Sequence, residues 1–264
     1  MKSIFDGLDQ DIRDNLKQQL AVYWTYSSNA IEGNTLTLEE TDFVIREGLT
    51  IEGKPLRDLV EARTHYNAVD VVSRMINNPS MTEEMLFDLH KTIMPDNVVD
   101  VQMPRGAWKD STNGTYIFDD ETRQAKWLEY PSPSEIPVLM SRWLKLYNES
   151  PVPVDKQSAV RLYSRLHTTF VAIHPFCEGN GRIARLVANI PVLKAGYPPI
   201  LLDPVKRREY IQILSKLTHN APRQIDFDRD YPEFENFVAA CWTKSFELVA
   251  AAHELQKKRL AQPD

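Results

Sequence analysis

His174-Pro175-Phe176-Cys177-Glu178-Gly179-Asn180-Gly181-Arg182-Ile183-Ala184-Arg185 is the stretch of this 264-residue chain on which its fold and chemistry turn. It sets an imidazole, a carboxylate, two glycines around an amide, and two guanidinium groups in one short segment. Leu186, Val187, Ile190, Leu193 and Lys194 follow at helical spacing, which predicts a helix over Ile183 to Ala195. The glycines therefore stand where the backbone bends before a helix begins. The first N–H groups of a helix have no carbonyl one turn behind them, and they bind phosphate well. Arg182 and Arg185 add charge-assisted contacts to phosphate oxygens. Glu178 would repel the same phosphates unless a divalent cation lies between. His174 is then placed to accept a proton from an attacking group.

Outward from this run the chain reads as predominantly helical. Ile12, Leu16, Leu20, Tyr23 and Tyr26 recur at three- and four-residue spacing, which predicts a helix over Asp9 to Ala30. Thr37-Leu-Glu-Glu opens a second helix, to about Glu47, with a capping box from Thr37 to Glu40. Further helices are predicted over Asp58 to Asn77, from Thr82 to Ile93, over Ser134 to Asn148, Asp155 to Ile173, Lys206 to Leu217, and Tyr231 to about Arg259. The stretch from Pro95 to Pro133 is different. There Asn113-Gly114, followed by Thr115-Tyr116-Ile117-Phe118, gives the strongest hairpin signal in the chain. The expected fold is all-α with a short β-hairpin. Pro151-Val-Pro-Val reads as a connector, because the helix after it leads straight into the signature.

Composition narrows the class. The hydrophobic share of 42% is ample for a buried core, and the net charge of −6 gives no general attraction to nucleic acid. Two cysteines, Cys177 and Cys241, lie far apart, which fits a reducing compartment better than a disulfide framework. The polar opening from Met1 to Gln19 and the lack of a long apolar run lead to the expectation of a cytoplasmic protein with no membrane partner.

The signature resembles that of Fic-domain proteins, His-x-Phe-x-Asp/Glu-Gly-Asn-Gly-Arg-x-x-Arg, and every fixed position of it is filled. The resemblance extends from about Tyr23 to Trp242. It implies a Fic helical core with a hairpin flap beside the active site. It also implies transfer of AMP from ATP to a Ser, Thr or Tyr hydroxyl of a target protein, with Mg²⁺ as cofactor. Under it His174 is the general base and Glu178 the Mg²⁺ ligand. Gly179, Asn180, Gly181, Arg182 and Arg185 form the phosphate cradle, with Asn180 supporting the pocket through its amide.

Three further segments carry the likeness. Ser28-Asn29-Ala30-Ile31-Glu32-Gly33-Asn34 resembles the Fic inhibitory motif, in which Glu32 would pair with Arg185 and occupy the arginine that the γ-phosphate requires. Relatives with this motif in some cases also remove AMP. Arg105-Gly106-Ala107-Trp108-Lys109 through Ile117 is similar to the flap, a hairpin that aligns an extended piece of the target by strand addition, with Trp108, Lys109, Tyr116 and Ile117 as its contacts. Lys109 stands where the family usually has Arg. Tyr210, after Ala195-Gly196-Tyr197-Pro198-Pro199-Ile200, is expected to edge the adenine. Its helical spacing with Leu214 fits core packing equally well, and an asparagine that some relatives use there is replaced near Thr218.

These expectations divide the chain into an N-terminal region with the inhibitory helix (1–36), a Fic catalytic core (37–250) and a C-terminal helical tail (251–264). Transfer of UMP or another phosphate-bearing group, and a non-catalytic nucleotide-sensing module, are the rival readings. Self-modification and a homodimer stay open.

Overall fold

Apolar residues three and four apart set most of the architecture. A computed structural model describes residues 3–94, 103–119, 124–219 and 225–261. The side chains of Ile117 and Thr218 lie outside what is described. The helix α1 (Gln10–Glu32) buries Ile12, Leu16, Leu20, Trp24 and Ile31 and ends on Gly33, whose left-handed φ of 99° suits a glycine. It therefore runs two residues beyond its expected end, and Glu32 becomes its last residue. Thr37 and Glu40 form the capping box of α2 (Leu38–Glu47). Then come α3 (Leu56–Met75) and α4 (Glu83–Ile93), the latter capped by the Thr82 hydroxyl.

The hairpin departs from the expectation. Strands β1 (Gly114–Asp119) and β2 (Gln124–Glu129) pair antiparallel, Gly114 opposite Glu129 and Asp119 opposite Gln124. Asn113-Gly114 is thus the entry to the first strand, not the turn. Asn113 is pinned there by donating from Nδ2 to Phe176 O at 3.0 Å. Gly114 is needed for close approach: a Cβ would run into the Trp127 ring and the Leu128 carbonyl.

After α5 (Ile136–Glu149), helix α6 (Lys156–Ile173) forms the centre of the core, with Tyr163, Leu166, Phe170 and Ile173 fully buried. The expected helix from Ile183 to Ala195 is instead two, α7 (Asn180–Val187) and α8 (Ile190–Lys194). Pro191 has no N–H to donate to Val187, and Asn189 uses its side chain to hold Ile200 from both sides. A 3₁₀ turn, Pro204–Lys206, precedes α9 (Arg207–His219). The expected last helix is divided at Trp242 into α10 (Pro232–Cys241) and α11 (Thr243–Ala261). The Trp242 indole is buried and donates to Pro198 O at 2.9 Å.

The main apolar core runs from Leu8 to Trp242, so α1 shares it with the elements that follow, while Leu36, Val44, Leu59 and Ala62 form a smaller second cluster. Helix α1 packs on α3 and α11, and α6 packs on α5, α7 and α10. This places the last turn of α1 directly against α7, on which the signature arginines lie. Among the described residues no helix is long and apolar enough to cross a membrane.

Candidate active site

Helix α6 ends at His174, the one non-glycine with a positive φ among the described residues, at φ 52° and ψ 58°. The chain leaves α6 at that turn, and the imidazole lies back against the last turn of the helix. Its Nδ1 lies 3.2 Å from Val171 O. A carbonyl can only accept, so Nδ1 carries the proton and Nε2 keeps its lone pair. Burial pushes the His174 pKa down to about 4, the Val171 bond and Glu32 opposing and Lys109 assisting. The imidazole is therefore neutral near pH 7. The Tyr130 ring lies parallel on it, 3.8 Å away with 2° between the planes.

The loop after His174 is closed by its own side chains. Asn180 accepts from Phe176 N at 2.9 Å and donates to Phe176 O at 2.8 Å. Its amide is therefore engaged in holding the loop shut and does not point into the cleft. Phe176 is fully buried, stacked on His90 at 4.1 Å and tilted against Trp108 at 5.1 Å. His90 accepts from Gly106 N at 2.9 Å through Nδ1 and donates to Glu178 O at 3.3 Å, which fixes its tautomer. Gly179, at φ 79°, makes the turn into α7, and the first intrahelical bond is from Ile183 N to Gly179 O at 3.0 Å. The N–H groups of Asn180, Gly181 and Arg182 have no such helical acceptor. They form the positive end of the helix dipole.

Both arginines are buried. Arg185 donates from Nε to Ser28 Oγ at 3.0 Å, from Nη1 to Tyr210 OH at 3.2 Å, and from Nη2 to Ser28 O at 2.9 Å and Glu32 Oε1 at 2.6 Å. Desolvation opposes charge on Glu32, yet Arg185 with Arg182 and His174 holds its carboxyl below the usual range. Its side chain keeps 40% of its surface exposed. Gly181 makes room for it, since a Cβ there would stand 2.5 Å from Glu32 Oε1. Arg182 reaches Glu61 at 3.7 Å and Glu178 at 3.9 Å, and its buried Nε has no partner. Arg57 on α3 approaches Glu178 at 3.8 Å and binds Glu61 at 2.9 Å.

The Glu178 side chain is about half exposed. Among the described residues no three His, Cys, Asp or Glu side chains converge as a cage for a cation. A single accessible carboxylate beside a phosphate-binding helix start does fit Mg²⁺, which takes one or two protein carboxylates and draws its other oxygens from phosphates and water.

Trp108 and Lys109 precede the hairpin and are not part of it. Trp108 packs edge-on against Phe87 at 4.6 Å. Lys109 is buried, donates from Nζ to Asn113 Oδ1 at 2.6 Å, and burial pushes its pKa down to about 8. Tyr116 stands 71% exposed on β1 with its cross-strand partner Trp127 edge-on at 5.0 Å. Tyr210 is buried, its hydroxyl shared by Arg185 and by His167 Nε2 at 3.1 Å. It is absent from the walls of the cavity next to Tyr130, which combine apolar residues such as Val171, Leu214 and Leu217 with the charged Asp226 and Arg229.

Sequence reasoning missed Tyr130, His90, Arg57 and Glu61. His90 left a signal, a histidine on the apolar stripe of Leu86, Leu89 and Ile93. Tyr130 left none, standing in an apparent loop before Pro131-Ser-Pro.

The pattern of the Fic/DOC family matches residues 80–191, which contain the base, the closed loop and α7. A Fic-domain containing signaling protein from Bacteroides thetaiotaomicron is 26% identical, with a TM-score of 0.80 over 95% of this chain and 93% of that one. Residues 80–191 thus resemble the Fic/DOC family in both sequence and fold. The matched segment is flanked by α1 to α3 on one side and by α9 to α11 on the other. Two proteins named protein adenylyltransferase Fic are similar over 84% of the chain, that of Drosophila willistoni at 29% identity over 233 residues and that of Drosophila virilis at 27% over 231. The chain spans about 40% of the length of these curated relatives.

Proposed function

We propose that this protein acts as a Fic enzyme that transfers AMP from ATP to a hydroxyl side chain of a target protein, and that Glu32 restrains it. The observation that carries this reading is a neutral imidazole with a free Nε2 beside the start of α7, with two buried arginines on that helix. The target's hydroxyl oxygen attacks the α-phosphorus while its proton passes to His174 Nε2. The bond from α-phosphorus to the bridging oxygen breaks, and pyrophosphate leaves. Negative charge on the phosphate oxygens faces the N–H groups of Asn180, Gly181 and Arg182 and the two guanidinium groups. Bound Mg²⁺ would supply charge neutralisation at those oxygens, with Glu178 as its protein ligand. The cavity beside Tyr130, walled by Leu214 and Leu217 together with Asp226 and Arg229, is the candidate seat for the base of the nucleotide. The exposed edge of β1 suits an extended target segment.

Incubation of the chain with ATP labelled at the α- or the γ-phosphate, and with α-labelled UTP, tests the reading. Protein-bound label from α-labelled ATP alone supports it. Label from the γ-position, or from UTP in preference, overturns it in favour of phosphoryl or UMP transfer.

A further inference from the structure

Tyr130 follows β2 directly, and its ring covers one face of the His174 imidazole at 3.8 Å. Its backbone is part of a stitched unit. Tyr130 N donates to Asn113 O at 3.0 Å, and Asn113 Nδ2 donates to Phe176 O at 3.0 Å. Lys109 N donates to Pro175 O at 2.9 Å, while its Nζ is held by Asn113. The root of the hairpin is thus bonded to the two residues that follow His174. An imidazole fixed by one bond at Nδ1 can still swing about its side-chain torsions. A parallel ring in contact with its face limits that swing and excludes water from that side.

We infer that Tyr130 is a positioning residue for His174: it fixes the plane of the imidazole, keeps the Nε2 lone pair in one direction, and ties this alignment to the seating of the hairpin. The contact is ring on ring, so the phenol oxygen is not required. Three other groups face the imidazole: Glu32 from α1, Lys109 from the segment before the hairpin, and the Val171 carbonyl of its own helix. Glu32 favours the imidazolium and Lys109 opposes it. The tyrosine ring adds to the burial that keeps the base neutral.

The kinetic arm of the test rests on the AMP-transfer reading, and the spectroscopic arm does not. Tyr130→Ala, Tyr130→Leu and Tyr130→Phe are made in a Glu32→Gly background, so that relief of inhibition is not what is read. The His174 ring is followed by NMR as pH is varied, and kcat and the KM for ATP are measured. Tyr130→Ala and Tyr130→Leu are expected to lower kcat by about tenfold or more and to leave KM within about twofold. They also raise the His174 midpoint toward about 6.5. Tyr130→Phe is expected to restore the rate and the low midpoint. Tyr130→Leu retains volume if the alanine variant does not fold. An unmoved midpoint in Tyr130→Leu overturns the inference, as does a phenylalanine variant as impaired as alanine, or a loss confined to KM. Should the chain transfer no AMP, the midpoint alone decides the positioning claim, and only the proposed function fails.

Discussion

Arg185 donates to Glu32 Oε1 at 2.6 Å across a separation of 153 residues in sequence. The two lie at the junction of α1 and α7, and the same guanidinium is held by Ser28 and Tyr210. The hydrogen bonds of the Arg185 side chain among the described residues run to α1 and α9, so the guanidinium is already engaged. Displacing Glu32 requires a ligand that replaces a charge-assisted bond, which a terminal phosphate does.

Tyr210→Phe tests the anchoring of Arg185. It removes the acceptor for Arg185 Nη1 and the partner of His167 Nε2, both buried. Leaving buried polar groups unpaired costs about 1–3 kcal/mol, so thermal unfolding should shift down by several degrees. Discrimination between ATP and GTP should not change, because Tyr210 does not wall the cavity beside Tyr130. Leu217→Trp, which fills that cavity, should weaken ATP binding in calorimetry while stability is largely kept.

Asn180→Ala tests the closed loop. The variant loses both bonds from Asn180 to the Phe176 peptide. Exchange of the Phe176 amide with solvent should rise by about tenfold or more, the equivalent of about 1.4 kcal/mol of lost protection. Unchanged exchange would mean that the stacks of Phe176 on His90 and Trp108 hold the loop alone.

Acid should destabilise the fold through its buried histidines. Burial pushes His90 and His174 down to about 4, against an unfolded imidazole near about 6.5. Between those values the unfolded chain binds more protons, so stability rises with pH across that window. It is fully present above the unfolded value and is lost as pH falls toward the folded one. For His90 the loss is of order 3 kcal/mol. Urea unfolding at pH 7 and pH 4.5 measures it, and His90→Gln should flatten the dependence. The acid limb of AMP transfer should likewise fall near the His174 midpoint of about 4 and not near that of a free imidazole.

The sequence made the helices legible where apolar periodicity and caps agreed. Thr37, Thr82 and Asp155 each start the helix assigned to them, because a hydroxyl or carboxylate at that position satisfies backbone donors that nothing else reaches. Legibility failed where a long-range contact overrode a local signal. Asn113-Gly114 has the chemistry of a turn, but Asn113 is taken by Phe176, 63 residues away, and the glycine by Trp127. Helical spacing also hid the break before Pro191, since Asn189 replaces the missing backbone bonds with a side chain. In the site, the signature gave the residues on one loop and one helix. It could not give Tyr130 or Arg57, whose nearness to His174 and Glu178 exists only after folding.

The central claim is that Glu32 and the nucleotide compete for Arg185 while His174 takes the proton. Its most direct measurement is the rate of AMP transfer from α-labelled ATP by the parent chain, by Glu32→Gly, and by the Glu32→Gly, His174→Ala double variant. The account predicts that Glu32→Gly is faster than the parent by about tenfold or more and that the double variant falls to background. Equal rates for the parent and Glu32→Gly, or persistent transfer in the double variant, would contradict it.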